Sequence, residues 1–330
     1  MYASEISPPQ FRGRVGGLYA INVSFAYALT EWMGLGFSYI TTDLAWRLFF
    51  GLQLLMPVVM IAGSFWMPQS PRWLVAKGRY EEALSTLQKM HQTGSPDDTF
   101  YIREYNQIKG QIELEAKEKV GVKTLFTRPS YRHRLYIILI WVIGQQTTGV
   151  IPLQNYQVIV YASLGLTGKM PLILVGVWGT VGVLCNLPGA WWFDKLGRRK
   201  LFFIAMGFML PASILLCAFW ATYENTDNTV KVWGILAVVS MFLFLVGYAV
   251  IINAFSYAYI SEILPTAIRS PVVATTFGFA NCLVIMLVQV TPIAIERISW
   301  KYFMIFVIGD AIFLVLFYFL YAIPFSYSSA

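Results

Sequence analysis

The feature that most constrains this chain is a series of eight long apolar stretches. Each contains roughly 20 or more residues nearly free of charge, and about 20 apolar residues allow a helix to cross a bilayer core. Only 12% of all residues are charged, whereas soluble domains have about 25%. The sequence therefore predicts an all-α, polytopic membrane helix bundle and not a soluble enzyme. The stretches cover residues 15–40, 48–67, 135–164, 170–193, 201–223, 232–260, 271–295 and 302–321.

The basic residues fall mainly on one side of this predicted bundle. Nineteen of the 24 Lys and Arg residues lie in one alternating set of ends and loops, and five lie in the other set. Loops rich in Lys and Arg stay in the cytosol, so we expect both termini there. The net charge of +7 then follows from the topology and calls for no nucleic-acid partner. The expected partner along the spans is the lipid bilayer.

Polar composition divides the chain into three predicted parts. Residues 1–69 hold two spans that end an N-terminal bundle, residues 70–134 form a cytosolic linker of two or three short helices, and residues 135–330 form a six-span C-terminal bundle. Cys185, Cys217 and Cys282 lie in apolar stretches without CxxC spacing, which indicates neither a disulfide framework nor a zinc site. No cofactor is expected.

An internal repeat indicates that these spans are part of a larger two-half arrangement of helices. The pattern S-E-I-x-P-x-x-x-R occurs at residues 4–12, with Glu5 and Arg12, and again at residues 261–269, with Glu262 and Arg269. Two spans follow each copy, but four spans lead from the linker to the second copy and none precedes the first. Since many transporters consist of two such halves, we expect about eight helices of a twelve-helix protein that lacks its four opening spans.

The charges of the repeat are candidates for a conformational gate. Glu262 and Arg269 can pair at the cytosolic edge, and a pair that breaks in one state would give a transporter a two-state element. A static ion pair at the interface is the alternative. A second charged turn holds Asp194, Arg198 and Arg199, which can bridge neighbouring helices or hold the loop to anionic lipid.

These motifs resemble the sugar porter family of the major facilitator superfamily, and within it the fungal hexose and disaccharide transporters. The resemblance runs along nearly the whole chain and implies a partial major facilitator fold, sugar transport by alternating access, and a plasma-membrane protein. It assigns Arg72, in the sequence that follows the second span, to the gating motifs. The motifs that carry it are Glu5 to Arg12, Pro68 to Trp73, Gln145 with Gln146 and Gly149, Asp194 to Arg199, and Glu262 to Arg269.

The substrate-site prediction starts from the third stretch, where Gln145 and Gln146 lie in a charge-free run too long for one straight crossing. Gly149 and Pro152 can break the helix, and broken helices are tolerated where they line a cavity. An uncharged amide offers sugar hydroxyls a donor and an acceptor, although amides also join membrane helices to each other. With the resemblance, the predicted substrate-binding residues are Gln145, Gln146, Tyr156, Tyr257 and Asn281.

Several functional questions stay open at the level of the sequence. Ile151 and Ala20 replace polar residues of the family pattern, so the sugar is not specified. Glu31 and Asp310 lie within spans, where charges are costly and often functional, but neither is assigned to proton coupling. The favoured function is a facilitative or proton-coupled sugar carrier. The alternatives are a sugar receptor that does not transport and an inactive truncated transporter.

Overall fold

The computed structural model describes residues 12–91, 100–118, 129–196, 198–227, 229–252 and 266–322, and the regular elements in these ranges are all helices. The first group of elements contains two long helices and three shorter polar ones. These are α1 (Arg12–Phe37), α2 (Leu44–Ser64), α3 (Pro71–Ala76), α4 (Tyr80–His91) and α5 (Phe100–Glu118).

The second group begins with a helix in three pieces and continues with long helices and one π-helical segment. Its elements are α6 (Pro129–Thr147), α7 (Val150–Asn155), α8 (Gln157–Ser163), α9 (Met170–Leu196), α10 (Arg198–Asn225), α11 (Lys231–Gly247), π1 (Tyr248–Ile252), α12 (Thr266–Ile298) and α13 (Lys301–Ala322).

Seven segments of the described residues are long and apolar enough to cross a membrane. They correspond to seven of the eight predicted spans, so the prediction of a polytopic, all-helical membrane protein is confirmed. The remaining predicted span, 15–40, forms the 26-residue helix α1. It is not one of the seven apolar segments, because Asn22, Ser24, Thr30 and Glu31 lower its mean hydropathy. The seven are Leu44–Ser64, Arg134–Asn155, Met170–Pro188, Lys200–Asn225, Lys231–Val250, Val272–Ile298 and Lys301–Phe319.

The chain forms two compact units, of which the first comprises Met1–Tyr19 and Phe37–Gly121. In this unit α3, α4 and α5 pack together around Leu74, Val75, Ala83, Leu87 and Ile108. Three short helices thus occupy the segment for which two or three were predicted. Helix α3 begins after Ser70, whose hydroxyl accepts a hydrogen bond from the Trp73 backbone N–H at 3.5 Å, the usual way to satisfy a free N–H at a helix start.

The second unit comprises Ala20–Gly36 and Val122–Ala330. Its core contains a cluster of aromatic rings from α6, α10 and α13: Trp141, Phe202, Phe313 and Phe317 are at most 2% exposed. The rings of Phe202 and Phe317 lie 3.9 Å apart between centroids. Because this cluster fixes α6 against α10 and α13, it also fixes the position of the amides at the end of α6.

The third predicted span is broken twice. Helix α6 ends at Thr147, and Gly149 takes a φ of +77° before α7 begins, a left-handed conformation that glycine adopts without a steric penalty. The break at Gly149 is therefore confirmed. Pro152 lies in the first turn of α7, directly after this break, where its missing N–H leaves no helical hydrogen bond unmade. The second interruption falls at Tyr156, with a φ of −115°, between α7 and α8.

Candidate functional site

The candidate site lies at the first break of the third span, inside the second unit. Gln145 and Gln146 belong to the last turn of α6, just before the left-handed residue Gly149. Gln145 is half-buried, and Gln146 is buried with 9% of its surface exposed. The two amides therefore lie within the protein and not on its outer surface.

The Gln145 side chain contacts a second polar residue across the bundle. Its Nε2 donates a hydrogen bond of 3.3 Å to the hydroxyl of Tyr248. Tyr248 opens π1, and single π-helical turns are frequent at functional sites. The sequence reasoning did not identify Tyr248, although a tyrosine inside an otherwise apolar span was a usable signal.

Gln146 differs from its neighbour in how its polar atoms are satisfied. Its Oε1 is buried and has no hydrogen-bond partner among the described residues. Leaving a buried acceptor without a donor costs about 1–3 kcal/mol. Gln146 Oε1 is thus an acceptor available to a hydroxyl group of a ligand.

Tyr156 and Asn281 use their polar atoms in other ways. The Tyr156 hydroxyl donates to the backbone carbonyl of Val288 on α12 at 2.9 Å. Asn281 is exposed, and its Nδ2 donates to the carbonyl of Phe277 on its own helix at 2.9 Å. The structure thus places Tyr156 in a helix contact, and no described hydrogen bond joins Asn281 to the Gln145 cluster. Their roles in substrate binding stay predictions.

The predicted gating residues are only partly covered. Tyr257 of the predicted site, together with Glu5 and Glu262, lies outside the described residues. Arg72 is described, and its Nη2 donates to Gln111 Oε1 at 2.7 Å, which joins α3 to α5. Five more residues have a described helical backbone but side chains outside the described part: Arg12, Asp194, Arg198, Arg199 and Arg269.

A row of polar contacts between α1 and α9 was missed by the sequence reasoning. Asn186 Nδ2 donates to Ser24 Oγ at 2.8 Å, and Trp32 Nε1 donates to Thr180 Oγ1 at 2.8 Å. Between them, a Cβ atom at Gly179 would lie 2.7 Å from the Ala28 Cα, so the two backbones approach closely. Small residues and interhelical hydrogen bonds are the usual means of joining membrane helices. The lone amide Asn186 in an apolar stretch was the available signal.

Comparison with known proteins extends this description. The profile of the sugar (and other) transporter family matches residues 1–323. The MFS-type transporter criB of Aspergillus cristatus is 30% identical over 82% of this chain and 58% of its own length. High-affinity glucose transporter 1 of Candida albicans is 26% identical over 93% of this chain and 59% of its own length.

Solved structures confirm the major facilitator fold. The proton:xylose symporter XylE bound to 6-bromo-6-deoxy-D-glucose superposes with a TM-score of 0.75 at 20% identity, over 96% of this chain and 66% of that protein. The chain spans somewhat less than two thirds of the length of the curated relatives named above. Since the family profile covers nearly all of it, the chain belongs to the sugar (and other) transporter family.

Proposed function

We propose that this chain is part of a membrane carrier that moves a hexose or a small disaccharide by alternating access. The observation that carries the proposal is the pair of uncharged amides at the break after α6, of which Gln146 Oε1 is buried with no hydrogen-bond partner among the described residues. The relatives support it, since they include a glucose transporter and a proton:xylose symporter.

The chemistry of the site suits a neutral polyhydroxyl ligand. Gln145 and Gln146 can both donate and accept hydrogen bonds, and neither brings a net charge that would have to be desolvated with the ligand. The Tyr248 hydroxyl and ring add a further polar group and an apolar surface. A charged substrate would find no opposite charge in this cluster, whereas a sugar would find hydrogen-bond partners.

We also propose a conformational gate and a cellular location for this carrier. Glu262 with Arg269, and Glu5 with Arg12, are proposed to pair at the cytosolic edge in one conformation, with Asp194, Arg198, Arg199 and Arg72 among the residues that rearrange. We propose a multi-pass protein of the plasma membrane with both termini in the cytosol. Its partners are the sugar, the lipid bilayer and, where transport is coupled, protons; it acts as a carrier and not as an enzyme, without nucleic acid or cofactor.

Uptake and binding of radiolabelled glucose test this proposal together. The chain is expressed in cells that lack hexose transporters, and glucose binding is measured separately on purified protein in lipid nanodiscs. Each lost neutral hydrogen bond contributes about 1 kcal/mol, so Gln145→Ala and Gln146→Ala should each weaken binding by about fivefold. Gln53→Ala, which removes an exposed amide from α2, should leave binding unchanged.

The binding arm keeps the test decisive whether or not the chain transports alone. Binding without uptake would fit the sugar-receptor alternative or a carrier that needs more than this chain for transport. Equal glucose affinity for wild type, Gln145→Ala and Gln146→Ala would contradict the site assignment. Absence of binding by the wild-type chain would contradict the function itself.

A further inference from the structure

The helix α13 carries a carboxyl group in the middle of the core. Asp310 is the tenth residue of α13, and its side chain is 0% exposed. Its Oδ1 has no hydrogen-bond partner among the described residues, and no salt bridge of the described part reaches it. An intramembrane carboxyl group without a counter-charge is costly to keep ionised and is rarely retained without a function.

The hydrogen bonding around Asp310 fits a protonated carboxyl group. Its Oδ2 lies 3.4 Å from Ser213 Oγ, and the same Ser213 hydroxyl lies 3.0 Å from the backbone carbonyl of Met209. A serine hydroxyl has one proton to donate. When the Ser213 hydroxyl donates to the nearer acceptor, the Met209 carbonyl, a protonated Asp310 can donate to Ser213.

The backbone beside Asp310 packs closely against α6. Gly309, the residue before Asp310, packs so tightly against α6 that a Cβ atom there would lie 2.9 Å from the Thr147 carbonyl oxygen. Thr147 is the last residue of α6, where unpaired carbonyls form the negative end of the helix dipole. The backbone next to Asp310 thus packs against the carbonyl end of α6.

Other ionisable groups near Asp310 are thiols and not charged side chains. Helix α13 packs against α6, α10 and α12. Cys217 on α10 is buried one turn from Ser213, and Cys282 on α12 is exposed. Between residues 137 and 147 α6 has no ionisable side chain, and the charged residues of α10 and α12 lie towards their ends. Asp310 is thus the acidic residue that lies away from the helix ends in α6, α10, α12 and α13.

A small pocket is lined by residues that contact Asp310 on one hand and neighbours of the candidate sugar site on the other. It is lined by Thr148, Gly149, Ser213 and Phe244, among others, and has room for about one water molecule. Ser213 joins it to Asp310. On the other side Phe244 stacks on Tyr248, with ring planes 14° apart, and Tyr248 accepts the Gln145 hydrogen bond. The Thr148 hydroxyl also donates to the Gln145 carbonyl, at 2.8 Å.

We propose that Asp310 is a proton-binding site in the six-span half of this carrier, and that the pocket at the Gly149 break links its protonation to ligand binding at Gln145. The linkage rests on the proposed function, but proton binding does not. Sodium is a poorer occupant, because the site offers one carboxylate and one hydroxyl where a metal ion needs several oxygen ligands.

Infrared difference spectroscopy of the purified full chain in nanodiscs tests the proposal directly. The C=O stretch of a protonated carboxyl group should be present at neutral pH and disappear at alkaline pH. Asp310→Asn should abolish this band, and Asp310→Glu should retain one. Glu31→Gln removes the acidic residue of α1 and serves as the matched control; the Asp310 band should survive it.

Two further measurements, on Ser213→Ala and with added glucose, test the hydrogen bond and the linkage separately. Ser213→Ala removes the hydrogen-bond partner and should shift the frequency of the band, which would identify the band with a carboxyl group next to Ser213. Adding glucose should shift the pH at which the band is lost, and Gln145→Ala should reduce that shift. A carboxyl band that is unchanged by Asp310→Asn would contradict proton binding at Asp310. A band that disappears in sodium buffer and returns when choline replaces sodium would contradict it as well. If glucose does not shift the pH at which the band is lost, the linkage is wrong. If the band is present in a chain that binds no glucose, only the proposed sugar function is contradicted.

Discussion

Helices α2 and α10 have similar apolar compositions but different surroundings. The candidate span Leu44–Ser64 has a mean hydropathy of 1.8, and none of its residues is buried; the span Lys200–Asn225 has a mean hydropathy of 2.3, and 50% of its residues are buried. Apolar composition therefore indicates that a helix enters a membrane but does not determine whether it packs against other helices.

Side-chain shape accounts for the difference. The buried face of α10 carries Phe202, Met206, Ser213 and Trp220 at helical spacing, and these side chains interlock with rings from α6 and α13. Lipid chains are as apolar as leucine, so apolar surface alone does not drive helices together. Packing and a few polar contacts must do so, and α2 has no buried residue, although its Phe49 ring contacts Phe37 of α1.

The largest expected effect comes from removing a ring from the packed region. Phe202→Ala deletes a fully buried ring of the aromatic cluster and should lower the free energy of unfolding by about 3–5 kcal/mol. Phe50→Ala removes a ring that is 58% exposed on α2 and should change it little. Thermal unfolding of both variants in nanodiscs, followed by near-UV circular dichroism, measures the difference. Equal losses would mean that α2 is packed as tightly as α10.

A pair of glycines separates backbone strain from packing. Gly149 and Gly78 share a φ of +77°, but a Cβ at Gly149 would lie 2.5 Å from the Phe306 ring, and a Cβ at Gly78 would meet nothing within 4 Å. Gly78→Ala should cost about 1–2 kcal/mol from the left-handed backbone alone. Gly149→Ala should cost about 1–3 kcal/mol more through overpacking. The same unfolding assay applies, and identical costs would show that the break is not tightly packed.

The smallest effect concerns a polar contact between α1 and α9. A double-mutant cycle of Ser24→Ala and Asn186→Ala isolates their hydrogen bond of 2.8 Å, which should contribute about 0.6 kcal/mol, the average for membrane proteins. Unfolding free energies of the single and double variants supply the coupling term. A coupling of zero would place α1 with α2 among the loosely packed helices.

The sequence predicted features that depend on local chemistry. Charge-free stretches located the spans, and Gly149 located the first break, because a left-handed residue is a local requirement. Pro152 lies in the first turn after this break, a position in which proline is tolerated. The interruption at Tyr156 carried no recognisable local signal.

Contacts between distant residues were beyond the sequence. The hydrogen bond from Gln145 to Tyr248 joins residues 103 positions apart, and only the packing of α6 near π1 brings them together. Asp310 was recognisable as an acid within a span, but its hydroxyl neighbour on α10 was not. The spacing of the motifs indicated the family, whereas the contacts of Gln145 and Asp310 came from the described structure.

The two interruptions around α7 have a mechanical consequence. Six residues lie between the interruptions at Gly149 and Tyr156, so α7 is a short helix with a change of backbone direction at each end. One residue's worth of rotation, about 100°, would carry the buried Leu153 away from the bundle interior and bring the half-buried Gln154 towards it. The surface that α7 turns towards the bundle interior would thus change from apolar to polar through the motion of a helix of about one and a half turns.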